Sequence, residues 1–559
     1  MDFNHYYTNN EIETTLRGWE KTYPSLVTIQ KIGESHEKNP LWLMIITNQS
    51  TGSDSDKPAV WLDANIHATE LTGTTVVLYI ANQLLESYGK DERITKLLDH
   101  NTYYILPRTN PDGAARAMAA RPRFVRSGVR PYPFEDRQEG LHEEDIDGDG
   151  RILQMRILDP NGDWKISSLD PRLMQKRAPD EQGGKFYRML PEGTLENFDG
   201  WNIKVAPPLE GLDFNRNFPY DWRPEESQHG AGPFPVSEPE IRAVVDFITK
   251  HPNISFAVAY HTYCAVILRP YSNKPDDQMN TDDLWVYQKV GKRGSELTGY
   301  RSVSVYHDFL YHPKEVTTGG FDDWMFDHLG VFAFTIELWD LPTAAGIKDR
   351  KFIEWFRDHP HEEDVQILKW VDEHAPEQYV PWYSFDHPQL GKVELGGWDR
   401  LYSWTNPHRS LLESEAVKNW PFALALGEML PHLKVLELKS TPLGDDTYHI
   451  NLVLENTGYL PTYTSQQGKT RNAVRPIRVE LELPEGVTLV QGKARLEMGH
   501  LAGRSNKFEF TQVEATSPTD NRARAEWVVS AKRKGQLSLN IYCPRGGNIK
   551  RKIEVGCQD

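Results

Sequence analysis

Cysteine is scarce. The 559 residues contain three, Cys264, Cys543 and Cys557. An odd, scattered set excludes a disulfide framework and a thiolate metal cluster, and it is compatible with a reducing compartment. Long apolar runs are missing too. No stretch approaches the roughly 18 residues that a membrane-spanning helix needs. The opening Met-Asp-Phe-Asn-His-Tyr-Tyr-Thr-Asn-Asn has neither a basic region nor an apolar core, so no export signal is read there. The expected compartment is the cytoplasm, or outside the cell if a leader has been removed. Basic blocks are absent and the net charge is −17, which argues against nucleic acid or an anionic membrane as main partner. There is no internal repeat and no low-complexity run, and nothing speaks to oligomeric state. Aromatics are plentiful, with 16 tryptophans and 24 tyrosines. They suggest extensive core packing in preference to a sugar- or peptide-facing surface.

The length implies two or three domains. Residues 1–385 read as one α/β unit. Helical periodicity at 9–22, 71–87, 237–250 and 282–297 alternates with short apolar strands at 27–33, 40–47, 58–66, 101–107, 254–260 and 331–338. That alternation implies a mostly parallel or mixed sheet covered on both faces. Residues 127–210 are rich in Pro, Gly, Arg and Asp and read as a long irregular insertion. Residues 386–432 read as a linker ending in a short helix. Residues 433–559 run as short segments of period-two alternation split by turn clusters such as Asn456-Thr457-Gly458, the pattern of a β-sandwich.

The chemistry concentrates in a few places. His67-Ala68-Thr69-Glu70 stands where a buried strand hands over to a helix. A His and a Glu three apart can face one metal, and a distant third ligand would leave a coordination position open, as catalytic zinc requires. His261 ends the apolar run Phe256-Ala257-Val258-Ala259-Tyr260, which places its imidazole at a strand's carboxyl end. Glu337 sits inside Phe334-Thr335-Ile336-Glu337-Leu338. Burial there should raise its pKa, which suits a general base. Asn215-Arg216 offers an amide and a planar fork for a carboxylate. The stretch Arg121–Arg130 is a source of an oxyanion-stabilising arginine or a solvated charged loop. Asp145, Asp147 and Asp149 alternate ahead of Gly150 like the first half of a calcium loop, but Arg156 stands where the bidentate Glu belongs. Calcium or a solvated acidic turn are the two readings.

Together, His67-Ala68-Thr69-Glu70, Asn110-Pro111-Asp112-Gly113, Asp213-Phe214-Asn215-Arg216-Asn217-Phe218, Tyr260-His261-Thr262-Tyr263, Gly319-Gly320-Phe321-Asp322-Asp323-Trp324 and the Glu337 segment resemble the zinc metallocarboxypeptidases of the carboxypeptidase A family. The order matches, as do the 46 residues from Asn215 to His261 and the 76 from there to Glu337. The resemblance implies a mixed eight-stranded sheet with helices on both faces, followed by an immunoglobulin-like all-β sandwich of the kind appended to bacterial members. It implies zinc on His67, Glu70 and His261, and promoted-water hydrolysis of the C-terminal bond of peptides with a free carboxylate. Glu337 would be the general base, Arg126 the carbonyl-polarising arginine (Arg123 and Arg130 being the alternatives), and Asn215 and Arg216 the carboxylate clamp. Tyr263 would contact substrate. Asp322 would lie at the base of the side-chain pocket and favour a C-terminal Lys or Arg, or else cap its own helix.

Three departures stand out. Glu70 and His261 are 191 residues apart, long for the family, and the excess is the 127–210 insertion, a potential lid. Thr69 replaces a common arginine. Glu315 stands where a mobile tyrosine is expected, with Tyr311 nearby but out of register. The rival readings are a zinc amidase acting on peptidoglycan stem peptides or acyl-amino acids, a non-catalytic binding protein on the same fold, and a chain whose sandwich binds sugar.

Overall fold

The computed structural model describes residues 1–312, 314–348, 350–505 and 516–556; Cys557 lies outside them. Its centre is an eight-stranded sheet in the spatial order Val27–Glu34, Pro40–Ile46, Thr102–Leu106, Ala59–Ala64, Ile254–Thr262, Phe332–Leu338, Val266–Arg269, Arg301–Ser304. The four middle strands run parallel to one another, and antiparallel pairings at both sides make the sheet mixed. The middle strands are buried along their whole length, which is why they read as unbroken apolar runs. One face is covered by the helices Asn9–Thr22, Thr72–Ser87, Thr281–Thr298 and Arg409–Glu428, whose apolar residues join one core with the sheet. The opposite face packs against Pro239–Lys250 and Phe321–Leu329.

Two expectations need correction. The 127–210 insertion is not irregular. Its strands Gln154–Leu158, Tyr187–Pro191, Trp164–Ile166 and Met174–Lys176 build a six-stranded sheet with the hairpin Tyr379–His387 and Gly391–Trp398. Strands of three to five residues carry too little periodicity to be read locally, and the partner that completes them lies far downstream. For the same reason residues 386–432 are no linker. They supply the second strand of that hairpin and the helix Arg409–Glu428, which packs on Thr72–Ser87.

The C-terminal region forms two four-stranded antiparallel sheets around one core that includes Ile450, Leu452, Val479, Trp527 and Leu539. It is docked on the preceding unit. The buried Arg545 guanidinium donates to the carbonyls of Pro252, Leu329 and Gly330. The Gln466 and Gln467 amides donate to Asp283 at 2.8 and 2.9 Å. Among the described residues, no helix is long and apolar enough to cross a membrane.

Candidate metal centre and its surroundings

The parallel register places His261 directly beside Glu337. Register partners share a sheet face, so both side chains leave their strands toward one crevice at the carboxyl ends. The third element is the loop after Ala59–Ala64. Asn65 takes a left-handed backbone, and its amide donates to the carbonyls of His67, at 2.7 Å, and Glu70, at 3.1 Å. A short polar side chain tolerates that conformation best. Asn110 spans the same loop, donating to the carbonyls of Ile66 and Ser127 and accepting from the Gly113 amide. Asn406, from the presumed linker, accepts from the amides of Leu71 and Thr72 and donates to the Thr69 carbonyl.

His67 Nδ1 lies 2.9 Å from Glu70 Oε1 and 3.1 Å from His261 Nδ1, and His261 Nδ1 lies 3.1 Å from Glu70 Oε2. Donors held about 2.0–2.1 Å from one tetrahedral zinc are separated by about 3.3 Å. The triad therefore has the spacing of three corners of a zinc tetrahedron, and a group with two imidazoles and one carboxylate suits that ion. All three residues are buried. Burial works to raise the Glu70 pKa, but His67 and His261 outweigh it and hold the carboxyl well below its ordinary range. Burial pushes the His261 imidazole down, toward the neutral form a ligand needs.

The outer nitrogen of His67 meets Asp213 Oδ1 at 3.1 Å, and Asp213 Oδ2 accepts from Arg126 Nε at 3.0 Å. Burial works to raise Asp213, yet Arg126, Arg216 and His67 hold it well below the usual range. A carboxylate on the far nitrogen fixes a ligand's tautomer and raises its basicity. Asp213 was missing from the sequence-based site. The signal for it was present, since a metal-binding His calls for such a partner and Asp213 opens the Asn215-Arg216 motif. Asp213→Asn is expected to weaken zinc binding about 10–100-fold, checked by competition against a chromogenic chelator.

Arg126 is held at the triad through its backbone as well, because its carbonyl accepts from the Ala68 amide at 2.9 Å. Its Nη1 lies 3.2 Å from Glu70 Oε1, and its side chain is 42% exposed. Burial works to lower the guanidinium pKa, but Asp213 and Glu70 more than offset this and keep it charged. The alternatives are engaged elsewhere, Arg123 with Glu210 at 2.6 Å and Arg130 with Glu238 at 2.6 Å.

Among the described residues no ion pair links Glu337 to an arginine, and its Oε2 is buried without a hydrogen bond. Burial pushes its pKa well up, and Glu70 and Asp322 add to this while Arg126 opposes it. Asn215 Oδ1 accepts from the Phe321 amide at 2.8 Å, leaving the amide nitrogen as the group for a carboxylate. Arg216 Nη1 donates to the Asn215 carbonyl at 2.7 Å. Gly319, at φ +69°, packs on the Arg216 backbone where a Cβ would collide with its carbonyl. That close approach is why a glycine stands there.

Asp322 lies buried in the first turn of Phe321–Leu329, where Arg216 favours its charged form and its own charge works to raise the pKa of Glu337. Burial raises its pKa. Its Oδ1 accepts from the Asp323 amide at 3.0 Å, a local contact of the capping kind, while Oδ2 has only a 3.4 Å contact with Thr335 Oγ1. Tyr263 is half-buried, edge-on to Phe356 at 5.6 Å, and burial pushes its hydroxyl up to about 12. Glu315 is exposed. Tyr311 is 60% exposed, and its hydroxyl feels the charges of Arg126, Glu337 and Arg216.

Calcium on Asp145, Asp147 and Asp149 finds no support. Asp145 accepts from the Gly148 and Gly150 amides, Asp147 from Asp149 and the Tyr383 hydroxyl, and Asp149 from Arg151. The carboxylates serve their own turn, and Arg156 pairs with Glu394 at 2.9 Å.

One family model, described as zinc carboxypeptidase, matches residues 12–354, and a domain of unknown function matches 432–554. Carboxypeptidase A2 of Rattus norvegicus is 29% identical over 389 residues, covering 65% of this chain and 72% of its own length. Carboxypeptidase B2 of Bos taurus is 25% identical over 347 residues, covering 60% and 64%. The crystal structure of thrombin activatable fibrinolysis inhibitor is similar at 21% identity with a TM-score of 0.41, covering 67% of this chain and 75% of that one.

Proposed function

We propose that this chain, which belongs to the zinc carboxypeptidase family and is a hydrolase of that kind, removes single residues from free peptide C-termini and prefers lysine or arginine. The observation that carries the reading is the buried carboxylate of Glu337, its Oε2 without a hydrogen bond, lying in register beside His261. An ionisable group buried with an oxygen left without a hydrogen bond costs stability, and a proton-transfer role explains its presence.

His67, Glu70 and His261 would hold zinc. When bound, the ion supplies Lewis acidity toward the scissile carbonyl and the attacking water. Glu337 takes the proton from that water, a transfer its raised pKa favours, and returns it to the leaving amine. Arg126 donates to the carbonyl oxygen as negative charge develops there. Arg216 and the Asn215 amide bind the terminal carboxylate and so restrict cleavage to the last bond. Tyr311 closes over the bound residue from the mouth of the site. The Asp322 carboxylate receives the substrate's cationic side chain, which replaces the burial penalty on that aspartate with a charge pair.

The test is mass spectrometry of a defined peptide mixture ending in Lys, Arg, Phe, Leu, amidated Lys and an amino-diacid, with and without chelator. Chelator-sensitive loss of one terminal Lys or Arg, with the amide spared, is expected. Asp322→Ser is expected to lower kcat/KM for Lys and Arg termini about a hundredfold while sparing Leu. Equal trimming of Lys and Leu by the wild type would end the specificity reading, and cleavage confined to the amino-diacid peptide would end the carboxypeptidase reading.

A further inference from the structure

Beside the metal centre opens a cleft of about 700 Å³. Its lining comes from the 123–126 segment, which includes Arg126 of the metal centre, and from the insertion at Arg137, 141–144, 205–206 and 208–210. None of Asn215, Arg216, Tyr311, Asp322 and Glu337 lines it. A peptide whose terminal carboxylate is held at Asn215 and Arg216 has its last bond at the triad. The rest of its chain extends away from the clamp, and Arg126, 3.2 Å from Glu70 of the triad, is the residue that the triad and the cleft share.

The lining indicates what it accepts. Phe124, Leu141, Val205 and Leu209 supply apolar surface. Its charges are already paired, Arg123 with Glu210 at 2.6 Å, Arg137 with Glu144 at 3.7 Å and Glu143 with Arg400 at 3.0 Å. The insertion also leaves large apolar side chains in solvent on this stretch, Val205 at 62% and Trp201 at 88% exposure. Exposed apolar groups beside a cleft mark a surface that binds something.

We propose that the insertion-walled cleft binds the upstream part of the substrate, an extended segment of several residues N-terminal to the scissile bond, with apolar side chains preferred over charged ones. The inference rests on the carboxypeptidase reading and makes the chain an enzyme for peptides in preference to acyl-amino acids or dipeptides. Contacts remote from the scissile bond lower the barrier when they are kept in the transition state.

The experiment uses full-length, zinc-loaded enzyme and acetylated peptides sharing one C-terminal dipeptide, extended upstream by leucine or by glutamate from a dipeptide to an octapeptide. The ratio of kcat/KM between the longest and shortest leucine members is expected to be about tenfold or more, levelling off once the cleft is filled, with a smaller gain for glutamate. Val205→Glu is expected to bring that ratio close to one. Leu158→Glu, a control at an insertion residue equally exposed at 62% but outside the cleft, is expected to keep it. A flat length series in a wild type that cleaves the dipeptide would overturn the inference and leave the carboxypeptidase reading intact. A length gain that survives Val205→Glu would also overturn it, as would one lost equally in the control. Failure to cleave any member would overturn both readings.

Discussion

Glu337→Gln is expected to lower kcat by about 10³–10⁴ and to leave KM within a few-fold. The substitution keeps the shape and the register beside His261 and removes only the proton acceptor. Its pH profile carries the sign. A base must be ionised to act, so wild-type activity falls as pH drops through the raised Glu337 pKa. The residual activity of the variant should have lost that acidic limb. Stability should move the opposite way. A carboxyl whose folded pKa is raised, as burial raises Glu337, is tolerated below its unfolded pKa and costs stability as pH rises through the folded value. The metal-free variant is therefore expected to match the wild type in acid and to melt higher at neutral and alkaline pH. Scanning calorimetry of chelated protein at several pH values checks this, and a lower melting temperature at every pH would contradict the buried-charge account. An active-site group that costs stability is a familiar exchange of stability for activity.

The second large effect is expected from His261→Ala. With one corner of the tetrahedron removed, zinc stoichiometry after dialysis should fall from about one per chain to near zero, and peptidase activity should fall at least about a thousandfold. The fold should survive. The outer nitrogen of His261 has no hydrogen bond, and Glu70 Oε2 keeps the Thr262 amide at 3.2 Å. Added zinc stabilises whatever binds it in the native state. It should raise the melting temperature of the wild type and leave that of the variant unmoved, as differential scanning fluorimetry over a zinc series would show. Equal zinc-induced shifts in both proteins would place the metal elsewhere.

The parts of this site that are legible in the sequence are those set by local structure. Buried parallel strands are apolar throughout, so a lone His261 or Glu337 at the end of one is conspicuous, and the His67–Glu70 spacing is readable because a single turn brings the two together. What the chain brings together over long distances is not legible in the same way. Asp213 reaches His67 across 146 residues, and Asn406 pins the Leu71 amide across 335. Asp213 is marked only by its place at the head of the Asn215-Arg216 motif, and Asn406 lies in no pattern that points at the metal. The acidic turn at Asp145–Asp149 misleads for the reverse reason. Alternating carboxylates suit a calcium ion and the backbone amides of a tight turn equally well, and here the amides have them.

The hairpin that completes the insertion's sheet also sets a timetable for synthesis. Gln154–Leu158 pairs on one side with Tyr187–Pro191 and on the other with Gly391–Trp398. At roughly 5–20 residues per second, the ribosome needs roughly ten to thirty seconds to travel from the end of the insertion to that hairpin. During that interval one edge of Gln154–Leu158 has no neighbour, and an open strand edge is a template for other chains. The catalytic unit cannot finish folding until nearly three quarters of the protein has been made, and Asn406 cannot secure the zinc loop before then. A nascent chain released early would carry every metal ligand and still lack the brace that aligns them.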